Sequence, residues 1–174
     1  MKYTTAQAIQ ILERTPAVCT ALLAGLSDDW VMQNEGPETF SPYDVIGHLI
    51  YGEQTDWVPR AKRILEFGNS KTFDKWDRFA QYELSKGKSL QQLLAEFAEE
   101  RKKNMIWFKS LQLTETDLDK KGMHPVLGEV TLRNLLSTWV VHDLTHIAQI
   151  TRVMAKQYRS EMGPWPEFFR ILNF

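Results

Sequence analysis

The chain is poor in most of the features that assign a protein to a special class. It has one cysteine, Cys19, so it can form no internal disulfide, and it lacks the four-cysteine or mixed Cys/His set of a closed structural zinc. No run of 18 apolar residues occurs, which leaves no transmembrane helix to propose. The opening residues Met1-Lys2-Tyr3-Thr4-Thr5 lack the apolar core of a signal peptide, and the cytoplasm is the expected compartment. An excess of one charge is missing too: 21 Lys+Arg stand against 22 Asp+Glu, a net charge of -1, which gives no basis for binding nucleic acid or an anionic membrane. Histidine is scarce, with only four in the chain.

What is there suffices for a core. The 174 residues include six tryptophans and nine phenylalanines, and a chain of this length buries about 70% of its unfolded surface without disulfides or a structural metal. One domain over residues 1–174 is expected. A metal site in it would be free to serve function, since the fold would not need the ion.

The apolar residues recur at helical spacing and almost never alternate, so the chain reads as all-α. From Thr5 to Leu26 the stripe Ala8, Ile9, Leu12, Val18, Leu22 and Leu23 is interrupted by Pro16, which predicts a helix kinked near its middle. Ser27–Phe40 reads as a loop. Ser41-Pro42-Tyr43-Asp44 combines a serine cap, proline at the first helical position and a carboxylate three residues after the cap, opening a second helix from Pro42 to about Phe67. Pro59 predicts a second kink or break in it. Gly68–Lys88 has no clean period and reads as a loop with room for a short helix.

Ser89 caps a third helix striped by Leu90, Leu93, Leu94, Phe97, Arg101, Met105 and Phe108. Its charges Glu96, Glu99, Glu100, Arg101, Lys102 and Lys103 read as a solvated face. Gly122–Val130 suggests a turn or small hairpin around His124-Pro125 and Gly128. Thr131 caps a fourth helix to roughly Tyr158, and Trp165–Phe174 forms a short C-terminal helix or tail. Four long antiparallel helices in one bundle, with a long connection between the second and third, are the expected architecture.

The chemistry concentrates in His142-Asp143-Leu144-Thr145-His146. Imidazoles four apart on a helix stand one turn over the other on one face, so both can reach a single ion, and His48 on the second helix could complete a facial triad. Three neutral imidazoles leave open positions on zinc, nickel or a similar ion. HxxxH alone is a weak motif, and its surroundings must carry the reading.

Those surroundings match a known pattern. Thr15-Pro16 in a first helix, Ser41-Pro42 followed by Gly47-His48-Leu49, then Gly128-Glu129-Val130-Thr131-Leu132 leading into Val141-His142-Asp143, His146 and Gln149-Ile150, together resemble the DinB/YfiT-like superfamily over essentially the whole chain. The resemblance implies a four-helix bundle holding one divalent metal ion per chain, usually zinc or nickel, on His48, His142 and His146. It also implies a homodimer. A zincin-like third ligand from downstream, Glu161 or Glu167, fits the order less well than His48.

Asp143 is the catalytic candidate because it follows the first histidine of the pair, where a zincin's HExxH has its glutamate, and so could act as a general base. The alternative, a carboxylate that orients an imidazole or lies on the helix surface, is favoured by its shorter arm. Trp139 and Gln149 lie within a turn of the pair on much the same face; Trp139 reads as core and Gln149 as a polar contact. Tyr51, Thr55 and Asp56 are substrate candidates only if the bundle leaves a cleft beside them. His124, before a proline in a loop, reads as exposed, with a place at the mouth of the site as the alternative, and Cys19 reads as buried and inert.

Three functions follow. The first, implied by the resemblance, is a metal-dependent enzyme that binds a low-molecular-weight thiol as thiolate and transfers it to an electrophile. The second is a metal-dependent hydrolase using metal-activated water. The third is a metal-binding stress-response protein without turnover.

Overall fold

Proline sets where the first two arms bend. In a computed structural model, described over residues 1–173, the first arm is two helices, α1 (Thr5–Leu12) and α2 (Thr15–Leu23), and the second is α4 (Pro42–Thr55) followed by α5 (Trp57–Phe67). Each upstream helix ends four residues before a proline, Leu12 before Pro16 and Thr55 before Pro59. Proline has no N–H to give the carbonyl four residues back, and its ring crowds that carbonyl. The sequence predicts one kinked helix at Pro16, whereas the structure has two helices parted at Glu13 and Arg14.

Between these arms the stretch expected to be a loop contains one turn of helix, α3 (Asp28–Val31). The long connection after α5 holds α6 (Gln81–Ser85). The third arm, α7 (Leu90–Ser110), starts at a capping box of Ser89 and Gln92. A turn of helix, α8 (Glu115–Leu118), then leads to an antiparallel hairpin, β1 (Lys121–His124) with β2 (Gly128–Thr131). The fourth arm, α9 (Leu132–Gln157), begins at a capping box of Thr131 and Asn134. Beyond it the C-terminal segment forms three short 3-10 turns up to Leu172; Phe174 lies outside the described residues.

The arms form a four-helix bundle in which α4 packs on α7, α6 and α9, α5 packs on α9, and α2 packs on α7. No described helix is long and apolar enough to cross a membrane. The core is two apolar clusters. One gathers Leu12, Trp57, Ala61, Met105, Phe108, Leu136 and Trp139; the other gathers Cys19, Ile46, Leu49, Ile50, Leu93, Phe97 and Ile150.

Each long stripe switches clusters at a polar residue: Glu53 on α4, Arg101 on α7, Asp143 on α9. All three are buried. This corrects the reading of Arg101 as part of a solvated face. It sits between Phe97 and Met105 on the inward stripe, and two carboxylates meet its guanidinium there.

Candidate metal centre

His48 enters the site in the second turn of α4, which is anchored by a complete capping box: the Ser41 hydroxyl accepts from the Asp44 N–H, and the Asp44 carboxylate accepts from the Ser41 N–H. His142 and His146 come from consecutive turns of α9. Nε2 of His142 lies 3.1 Å from Nε2 of both His48 and His146. Two nitrogens bound to one ion at about 2.0–2.1 Å are about 2.9 Å apart in octahedral geometry and about 3.3 Å apart in tetrahedral geometry, so the spacing suits a shared metal ion. No other convergence of three or more such ligands occurs among the described residues.

The ring nitrogens away from the centre are only partly supported. Nδ1 of His146 lies 2.8 Å from Gln149 Oε1, which accepts its proton and leaves Nε2 with a lone pair turned to the centre. Nδ1 of His48 and of His142 are buried without a hydrogen-bond partner. Burial pushes all three imidazoles below their ordinary range: His48 to about 3 and His142 to about 2, both helped by the neighbouring imidazoles, and His146 downward against the pull of Gln149. Neutral imidazole is the form that binds metal.

Aromatic rings wall the triad. Trp76, from the long connection, meets His48 edge-on with centroids 5.1 Å apart, Phe40 lies 5.2 Å from the same ring, and Trp57 meets His142 edge-on at 4.9 Å. Above the histidines opens a cleft of about 430 Å³, whose rim includes Arg78, Gln149 and Arg152. A larger groove of about 640 Å³ between α2 and α7 is lined by no histidine. Arg152 and Lys156 clamp Glu35 and hold its carboxyl down at about 2, tying the α3–α4 connection to α9.

The remaining candidates fall into place around this centre. Both oxygens of Asp143 are engaged by Arg101, at 2.6 and 3.0 Å, and the residue is fully buried. Its carboxylate therefore makes no hydrogen bond to an imidazole and does not line the cleft. Trp139 is core, and its Nε1–H donates to Glu53 Oε1 at 3.1 Å. Tyr51 packs on Trp76, and Thr55 Oγ1 accepts from Trp76 Nε1, so these two hold the wall of the site. Asp56 is paired with Arg60, and burial pushes its carboxyl up to about 6.

His124 is half-buried rather than exposed, and it lies outside the histidine cluster. Its Nδ1 accepts from the Val126 and Leu127 N–H groups and closes the hairpin turn. Cys19 is wholly buried, and burial pushes its thiol up to about 12, so it is inert at neutral pH. Sequence reading missed Glu53, Arg78, Arg152 and Trp76. Glu53 had a signal, a lone acid on the stripe of Ile46, Leu49, Ile50 and Trp57; the cleft residues had none.

Residues 11–150 match the DinB superfamily model. The chain belongs to the DinB superfamily. It is also similar to YfiT from Bacillus subtilis, described as a probable metal-dependent hydrolase with an unusual four-helix bundle topology, with a TM-score of 0.76 and 24% sequence identity over 90% of this chain and 89% of that one. That likeness is one of fold. No curated protein matches.

Proposed function

We propose that this DinB-superfamily protein is a metal-dependent enzyme that transfers a low-molecular-weight thiol to an electrophile. His48, His142 and His146 would hold one divalent ion, zinc or nickel by the all-nitrogen donor set. Such an ion supplies open positions and lowers the pKa of a thiol or water that reaches them.

The observation that favours a thiol is the placement of Asp143. Because Arg101 occupies both carboxylate oxygens, Asp143 cannot take a proton from a nucleophile in the cleft. Glu35, on the rim, is likewise held as an ion by Arg152 and Lys156. A thiol, near 8.5 when free, is deprotonated outright on such an ion and needs no base, whereas bound water is brought only to about 7 and gains more from one. In the transfer, a sulfur–carbon bond forms, the bond to the leaving group breaks, and the thiol proton goes to solvent. Gln149 fixes the His146 ring, Trp76 and Phe40 keep water from the flank of His48, and Arg78 and Arg152 line the mouth.

Likeness to YfiT supports a second reading, metal-dependent hydrolysis. The two separate in one assay of zinc- or nickel-loaded protein. Transfer requires consumption of a small cellular thiol with a haloalkyl electrophile, dependent on metal and lost in His48→Ala. Cleavage of esters or amides without added thiol would favour the hydrolase instead, and inactivity in both arms would leave a metal-binding protein without turnover.

A further inference from the structure

The two helices that carry the histidines are tied to each other through a third that carries none. Arg101 of α7 donates from Nη2 to Glu53 Oε1 on α4 at 2.8 Å, grips both oxygens of Asp143 on α9, and donates from Nη1 to the Leu12 carbonyl at 2.6 Å. That carbonyl is the one left without a helical partner by Pro16. All four arms of the bundle thus meet on one guanidinium.

Two more contacts fix the hub. Its planar group lies over the rings of Phe97 and Trp139, at 5.1 and 5.2 Å, and Asn104 Nδ2 donates to both Glu53 Oε2 and the Glu53 carbonyl at 2.9 Å. Asp143 is the residue after His142, and Glu53 lies five residues after His48 on the same helix. Wherever Arg101 holds those carboxylates, it sets the rotation of α9 and α4 about their own axes.

We propose that Arg101 is the positioning residue of the metal centre, aligning His48 with His142 and His146 through Glu53 and Asp143. This rests on the reading that the three histidines bind a divalent ion. The lever is long: an imidazole tip some 6 Å from its helix axis moves by roughly 2 Å for a 20° turn of the helix, whereas metal–nitrogen distances hold to about 0.2 Å. A small loss of helix rotation is therefore enough to break the tripod while leaving the apolar clusters packed.

The test uses cobalt(II) alone, titrated into the metal-free protein by calorimetry and followed by visible absorption. Arg101→Lys keeps the charge but gathers its donors on one ammonium, which cannot span Leu12, Glu53 and Asp143 together. Its Kd for cobalt should rise about tenfold or more, and its ligand-field bands should change in position and intensity at a temperature where circular dichroism shows a folded chain. Asp143→Glu, which keeps the charge on a longer arm, should act the same way and decides the matter if Arg101→Lys does not fold. A folded variant that binds cobalt within twofold of the parent, with unchanged bands, would overturn the role of Arg101. A parent protein that binds no cobalt would instead overturn the metal reading itself.

Discussion

At the scale of single residues, the three histidines carry a pH signature because burial keeps them neutral. The folded chain holds His48 at about 3, while the unfolded chain takes up that proton below 6.5. Stability from this group is therefore present above pH 6.5 and is lost as pH falls toward 3. Measured on chelated protein, the stability of the parent relative to His48→Gln should fall by about 2 kcal/mol between pH 7 and pH 5. A difference that stays flat over that range would mean the ring is hydrated or already charged. The convergence of these three histidines was legible in the sequence, since HxxxH fixes two imidazoles on one helix face and the resemblance supplied the third. The fate of Asp143 was not. Its neighbour in sequence is His142, but its neighbour in space is Arg101, 42 residues away.

At the scale of elements, Gly47, next to His48 on α4, lets α6 come close. A Cβ on Gly47 would lie 2.1 Å from Ser85 Oγ and 2.5 Å from Gln81 Oε1, both on buried residues of α6. Gly47→Ala should therefore destabilise the protein by roughly 1–3 kcal/mol, as overpacking does, read as a lower urea midpoint with an unchanged m-value. A neutral substitution would show that α6 yields freely. Capping boxes at Ser41, Ser89 and Thr131 mark the starts of α4, α7 and α9; the sequence shows Ser41 with Asp44 plainly, and gives the other two through their cap residues. Proline located the breaks, but not what Pro16 makes available. The Leu12 carbonyl it frees becomes an acceptor for a side chain 89 residues away.

At the scale of the whole molecule, two apolar clusters lie on either side of the polar hub and neither contains His48, His142 or His146. Removing metal should therefore leave helical circular dichroism intact. Binding at a hundredfold excess over Kd adds about 2.7 kcal/mol, so chelation should lower Tm by roughly 5–10 °C for a chain of this size. Collapse of the helical signal on chelation would show that the ion is structural. The long connection between α5 and α7 brings Trp76 and Arg78 onto the site from a stretch without periodicity, where sequence gives no hint of direction.

The sequence by itself determined the bundle, the starts of its long helices, the prolines beside their breaks, and the residue types that can bind a metal. Each of these follows from periodicity, caps and proline acting over a few residues. Only the tertiary structure decided that Arg101 turns inward to join Glu53, Asp143 and Leu12, that Asp143 is withdrawn from the cleft, and that Trp76 and Phe40 flank His48. Those choices depend on which buried charges find partners across the bundle, and the burial of an ion is favourable only when a distant segment supplies the opposite charge.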